Sequence, residues 1–458
     1  MRSLGTSILS LALAVALFPA QLGAQVGEGK EMHLTLSESI EIALANNSTI
    51  LQQKYSVALA DAQVDGARNS FLPSLRSGWS MSRDVRGPRE GQYLDPSTNL
   101  IVTSLGESTT GGSQRVSANM DLSVFNASNL ATLSSRKHGL KSSEMSLAAS
   151  RNSIVFQVKQ RYFQLLQAIK LLEVQQEQVR VSEETLRRNA TLYEIGSAPI
   201  SDELTARSSL ESVRVTLITR ENNVAITGSN LGFTLGLPPD IRILPVEVEY
   251  QVKQLPITFE KALERALGTE QSLQARKFAM LADKDALKST IFSIRYPTVS
   301  MSASYGWTLT KDEDFQGIED LFMKNYSYGV NLSVSLPIFN RLNTTNSIKT
   351  QRLRYLQSQE LLDQAKRQKA LNIKQAFLNI EQSRRSIEAN EAAVRASEEE
   401  FKLQDQRYNF GAGTFLERQN AQLGLYQARN SLVQAQYNYQ IQVALLETEI
   451  GGPIEPQE

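Results

Sequence analysis

Four stretches of the chain alternate apolar and small polar residues with a period of two. Between 116 and 124 the apolar set is Val116, Ala118, Met120, Leu122 and Val124, set against Ser117, Asn119, Asp121 and Ser123. From 326 to 336 it is Tyr326, Tyr328, Val330, Leu332, Val334 and Leu336, against Ser327, Gly329, Asn331, Ser333 and Ser335. Residues 299–307 and 75–81 follow the same rule. A period of two predicts strands with one apolar face, here at about 71–82, 116–125, 297–307 and 326–336. Two settings give that pattern: a half-buried strand of a soluble sandwich, or a lipid-facing barrel strand over a hydrated bore. Lengths of ~9–11 residues suit the barrel, and so does a polar side built from Ser, Gly and Asn. The polar segments 83–115 and 307–325 read as loops.

Elsewhere the period is seven. Val158, Leu165, Leu172, Val179, Leu186 and Tyr193 form one ladder, and Ile373, Ile380, Ile387, Val394, Phe401 and Tyr408 form another. The second is the first shifted by 215 positions. From Asn340 to Phe410 there is neither Gly nor Pro, so an unbroken helix of ~70 residues, ~105 Å long, is expected. A sustained seven-residue repeat demands a left-handed supercoil. The companion rung is charged (Arg384, Glu391, Glu398, Asp405), so the seam is no fully apolar zipper. Each ladder ends on Tyr-x-x-Gly, at Gly196 and Gly411, which read as left-handed helix ends. Return helices follow over 204–231 and 416–450.

The constant shift also pairs Val179–Glu184 with Val394–Glu399, and Gly236 with Gly451. The chain is therefore written twice: a first repeat over 25–236 with its hairpin tip near 196, a Pro-rich connector at 237–256, a second repeat over 257–451 with its tip near 411, and a tail at 452–458. The fold class is mainly α, with long antiparallel helical hairpins plus four strands that belong to a β-barrel.

Composition narrows this picture. Arg2, the apolar core Ile8–Phe18 and small residues at Gly23 and Ala24 mark 1–24 as a secretory signal peptide. No later run of 18 apolar residues exists, so any membrane crossing must be a β-barrel. Four strands cannot close one, and open edges are not tolerated in lipid. Two copies would supply about eight strands, whose interior fills with side chains, so a conducting bore favours three copies or more. The 48 basic and 48 acidic residues leave no footprint for nucleic acid, and the absence of cysteine removes disulfides, thiolate metal sites and lipidation of an N-terminal Cys. Only two histidines occur, His33 and a His138 read as solvated. No catalytic constellation, cofactor site or phosphate loop is expected, so the chain does not read as an enzyme.

The doubled layout, the Tyr-x-x-Gly tips and the run 422–450, with Tyr426-Gln427-Ala428-Arg429-Asn430 and Tyr437-Asn438-Tyr439, resemble the TolC / outer-membrane efflux protein family. The resemblance covers essentially the whole mature chain. It implies a homotrimer with a twelve-stranded barrel in outer-membrane lipid above a periplasmic α-helical tunnel, serving as exit duct of an efflux or type I secretion system. It implies tip contacts with a periplasmic adaptor of an inner-membrane pump at Tyr193, Gly196, Ala198, Tyr408, Gly411, Gly413 and Thr414. It implies an entrance gate at Ser201, Asp202, Tyr408 and Glu417, with Asp202 and Tyr408 as closing pair. Relatives carry an Arg where this chain has Gly413, and Asn420 stands where a second acid of the entrance ring is possible. Asp202 and Glu417 also read as first-turn carboxylates at helix N-termini. The competing reading of the whole pattern is a trimeric envelope stalk or adhesin anchored by a barrel.

Overall fold

The computed structural model describes residues 31–97, 99–247, 256–310, 326–339 and 342–454. The expected signal segment, residues 311–325 of the expected loop 307–325, and parts of the connector (248–255) and tail (455–458) lie outside the described residues.

Two very long helices set the frame. Helix α3 (Ala127–Glu194) has 68 residues and α7 (Asn343–Asn409) has 67, ~100 Å each at 1.5 Å per residue. Their return partners, α4 (Ile200–Leu235) and α8 (Phe415–Glu449), have 36 and 35 residues and cover only the half nearest the tips. The other half is covered by α2 (Ser48–Asn69) and α6 (Gln271–Arg295). Each follows a short helix, α1 (Leu36–Asn46) or α5 (Phe259–Thr269). A single extended residue ends one helix and starts the next. Asn47 accepts from Thr49 N and donates to Thr234 O, both at 2.9 Å; Glu270 accepts from Leu273 N at 2.9 Å.

At the waist, where these pieces meet, lie the two apolar cores. One gathers Leu34, Ile50, Val158, Tyr162, Leu165, Leu231 and Leu235; the other gathers Ala262, Ile373, Ile380, Ile387, Leu446 and Ile450. The connector holds one element that no alternation announces. Arg242–Pro245 is a strand, pairing in parallel with Glu31–Leu34. Four residues are too few to show alternation. The Tyr162 hydroxyl holds the pair, its one proton shared between the carbonyls of Val246 (2.6 Å) and Leu34 (3.0 Å); burial pushes its pKa up to about 12.

With β1 (Glu31–Leu34) and β6 (Arg242–Pro245) at the waist, the main sheet contains β2 (Ser74–Arg86), β5 (Thr109–Phe125), β7 (Thr298–Thr310) and β8 (Tyr326–Ser335) in the order β2-β5-β7-β8, all antiparallel. One set of rows is mainly apolar, as in Leu75–Met120–Ala303–Val330, and the other is polar, with rows of small residues such as Gly78–Ser117–Gly306–Ser327 beside an Arg76–Asp121 ion pair at 2.6 Å. Tyr305, Tyr326 and Tyr328 stack on the apolar face with centroids 6.3 and 6.4 Å apart. Amphipathic rings of this kind mark a membrane–water interface. The segment 83–115 is not a plain loop: β2 and β5 stay paired out to Arg86 and Thr109, and β3 (Glu90–Leu94) with β4 (Ile101–Leu105) forms a separate hairpin beyond. Ser, Thr and Gly on both faces hide the period of two there, while the ladder hydrogen bonds continue. No described helix is long and apolar enough to cross a membrane.

His138 is not simply solvated. Its Nδ1 lies 3.1 Å from Asp285 Oδ2, which also accepts from Ser134 Oγ at 2.6 Å, while Lys288 Nζ donates to Oδ1 at 2.7 Å. The cluster ties α3 to α6. Burial raises the Asp285 carboxyl, but Lys288, Ser134 and His138 together outweigh it and leave the pKa below the ordinary carboxylate value. The stability from a depressed folded pKa is present above the unfolded carboxylate pKa and is lost as pH falls from there through the folded pKa. Asp285→Ala is therefore expected to cost ~1 kcal/mol at neutral pH, since Asp285 is buried but Lys288 and His138 are 50% and 33% exposed and can turn to water. Thermal unfolding at pH 7 and pH 3 checks this: the gap between variant and parent should narrow at the lower pH.

Candidate functional site: the hairpin tips

Both hairpins turn in the same way, at the end of the long helices opposite the sheet. In the first, Gly196 N donates to Tyr193 O (2.9 Å) and Ser197 N to Leu192 O (2.8 Å); in the second, Gly411 N donates to Tyr408 O (3.1 Å) and Ala412 N to Arg407 O (2.8 Å). These paired bonds satisfy the last carbonyls of each helix and require a left-handed residue. The glycines provide it, with φ of 72° and 70°. Tyr193 and Tyr408 thus occupy the same place in the two turns. Ala198 follows the first, and Thr414 caps α8 after the second.

Gly413, where the resemblance places an Arg, is folded tightly against its own helix. A Cβ there would lie 3.1 Å from Arg407 Cβ and 3.3 Å from Tyr408 N. Arg407 closes the turn instead, donating from Nη2 to Ala412 O at 3.2 Å. Glu417 is committed to its helix end: its carboxylate accepts from Thr414 N at 2.8 Å while Glu417 N donates to Thr414 Oγ1 at 3.2 Å. These bonds from the Thr414 backbone and hydroxyl hold the carboxyl below its usual range. Asp202 sits in the first turn of α4 with only a long contact, 3.4 Å, from Ser201 Oγ.

The expected pair of Asp202 and Tyr408 does not form a hydrogen bond here. The Tyr408 hydroxyl donates to Asn189 Oδ1 at 2.9 Å, across from α7 to α3. Burial, and then the charge of Asp202 nearby, raise the Tyr408 pKa. Around this bond is a cluster that sequence reasoning missed. Arg188 lays its guanidinium over the Tyr408 ring, 4.9 Å from the centroid, with Nη1 3.9 Å from Asp405 Oδ1. Arg418, 5% exposed, donates from Nε to Asp405 Oδ1 at 2.5 Å and reaches Thr185 Oγ1 and Gln422 Oε1 from Nη1. Burial and the neighbouring Arg418 charge lower the Arg188 pKa. Arg188 Nη2 and Asn189 Nδ2 are buried with no partner among the described residues. Three helices, α3, α7 and α8, are thus joined by one polar network just above the tips.

The network ends a longer polar seam. Below Leu171 the buried residues of α3 are Gln175, Gln178, Ser182, Thr185 and Asn189, spaced 3, 4, 3 and 4 apart. On α7 the buried ladder stops at Ile387; Val394, Phe401 and Tyr408 are only half-buried. The apolar buried positions of the two long helices therefore end at matching heights in the two repeats, and over the last ~35 Å (1.5 Å per residue) the buried apolar side chains come from the return helices, as Ala206, Leu210, Val213, Phe415, Ala421 and Leu425. The sequence signal is a period of 3.5 in Gln, Ser, Thr and Asn, invisible to a search for apolar residues.

The model of the outer membrane efflux protein family matches residues 39–237 and again 262–452. The chain belongs to that family. The doubled match falls on the two repeats. The chain is 21% identical to the outer membrane protein TolC of Vibrio cholerae, over 91% of this chain and 90% of that one, and 24% identical to TolC of Escherichia coli K12, over 85% and 76%. The solved structure of CusC, a transmembrane channel, shares its fold, with a TM-score of 0.76 at 18% identity over 91% and 92% of the two chains. As a member of this family, the chain is a passive channel and not an enzyme. It is the outer-membrane component of a tripartite efflux system, with its sheet in the outer membrane and its helices extending into the periplasm.

Proposed function

We propose that three copies assemble into one duct, pooling four strands each into a twelve-stranded barrel above a tunnel of twelve helical rods, and that the tips receive a periplasmic adaptor joined to an inner-membrane pump. One observation carries the reading. The sheet has two uncovered edges, β2 and β8, that run in opposite directions, so copies can be added edge to edge while every neighbour stays antiparallel. The apolar face then meets outer-membrane lipid, and the Ser- and Gly-rich face lines the bore. The adaptor contact is assigned to the turns holding Tyr193, Gly196, Ala198, Tyr408, Gly411, Gly413 and Thr414. The gate is assigned to Tyr408 with Asn189, Arg188, Asp405 and Arg418, with Ser201, Asp202 and Glu417 nearer the mouth.

Deleting the chain from its host tests this. Hypersensitivity to exported toxic compounds is expected, restored by the parent chain but not by an Ala412→Trp variant that still conducts when purified. Loss of surface adhesion without hypersensitivity would favour a stalk instead.

A further inference from the structure

The two edges of the sheet raise a question that the internal repeat answers. Strands β2 and β7 are each the opening strand of their repeat and start just after a proline, Pro73 and Pro297, so a residue of β2 corresponds to the β7 residue 224 positions on. Strands β5 and β8 are the closing strands: Val124-Phe125-Asn126 corresponds to Ile338-Phe339-Asn340, a shift of 214. Both shifts are even, so every residue keeps its face of the sheet.

The correspondence can be checked inside one chain. Strands β2 and β5 pair Ser74 with Asp121 and Trp79 with Val116. The two shifts turn these into Thr298 with Ser335 and Ala303 with Val330, and both pairs are present between β7 and β8. The repeat therefore dictates strand register correctly where it can be tested.

The β5–β7 junction joins the closing strand of one repeat to the opening strand of the next. A junction between β8 and the β2 of a second copy joins the same two kinds of strand in the same order. Applied to the β5–β7 pairs Asn119–Ser304, Ser117–Gly306, Met120–Ala303 and Ala118–Tyr305, the shifts give Ser333–Ser80, Asn331–Ser82, Val334–Trp79 and Leu332–Met81. We propose that β8 pairs antiparallel with β2 of a second copy in this register, an inference that rests on the shared-barrel reading above.

The chemistry of the new pairs fits both sides. Val334–Trp79 and Leu332–Met81 continue the apolar face. Ser333–Ser80 and Asn331–Ser82 continue the polar face, where Ser300–Ser333 and Ser82–Ser113 hydroxyls already meet at 2.7 and 2.8 Å. The lower end fits too. The β5–β7 register slips between Ser123 and Phe125, and the residue equivalent to Ser123 is Pro337, which lacks an N–H and is tolerated at such an irregularity. After it, Phe339 falls opposite Leu75 of the second copy, as Phe125 falls opposite Val299. Phe339 and Leu75 are each 77% exposed in the single chain.

The chain contains no cysteine, so introduced pairs report without background. Directly opposed residues lie ~5 Å apart, within disulfide reach; a displacement of four residues adds ~13 Å. The full-length double variant S80C/S333C, oxidised in outer membranes, is expected to yield a covalent trimer on denaturing gels, and R76C/S333C is expected to stay unlinked. Crosslinking by R76C/S333C or D84C/S333C without S80C/S333C overturns the register while keeping the trimer. Failure of every pair in protein of trimeric native mass overturns the register as well. A monomeric native mass overturns the shared barrel beneath it.

Discussion

Arg418→Ala is expected to raise the conductance of the reconstituted channel. Arg418 is the most buried charge near the tips and holds Asp405 at 2.5 Å, joining the return helix α8 to α7 and, through Thr185, to α3. Asp405 is 30% exposed, so the loss lies below that of a fully buried pair, at ~2 kcal/mol. A change of that size shifts a closed-to-open ratio ~30-fold. Asp405→Asn should act in the same direction, and the double variant should fall well short of the sum, because both changes break one contact. Arg418→Lys keeps the charge but loses the planar fork and should fall between. Single-channel recording in planar bilayers measures all four. Unchanged currents in a stable Arg418→Ala trimer would show that this network does not hold the tips.

The second large effect concerns two glycines with almost the same backbone. Gly196 and Gly236 have φ of 72° and 75°, so alanine at either suffers the left-handed penalty of ~1–2 kcal/mol. Their surroundings differ. Around Gly196 an added Cβ meets nothing within 4 Å, whereas at Gly236 it would sit 2.8 Å from the carbonyl oxygen of Asn46 and 3.1 Å from its carbon. That is backbone at the α1–α2 break, beside the Leu231 and Leu235 core, and it cannot swing aside. Gly236→Ala is expected to cost ~3 kcal/mol or more and Gly196→Ala ~1 kcal/mol. Thermal unfolding of the two variants side by side decides it; equal losses would mean that the waist tolerates movement.

Much of this architecture was legible in the residue pattern. The four alternating segments became the four strands of the sheet, and the Gly-free run became an unbroken helix. What escaped did so for physical reasons. Strands β3 and β4 lie in polar sequence where hydrogen bonding, not burial, maintains pairing. The β1–β6 pair is too short to show a period. At the tips, the seven-residue ladders were visible, but Leu172, Val179 and Leu186 flank the seam, and Gln175, Gln178, Ser182, Thr185 and Asn189 fill it. The Tyr408–Asn189 bond depends on two residues 219 positions apart, a distance that no local spacing reveals. The Glu417 carboxylate, by contrast, follows directly from Thr-x-x-Glu at a helix start.

Native mass determination coupled to bilayer recording on the purified full-length chain tests the central claim most directly. Pooled closure requires a particle of three chains that passes steady ionic current. A single-chain particle that leaves the bilayer insulating would contradict it.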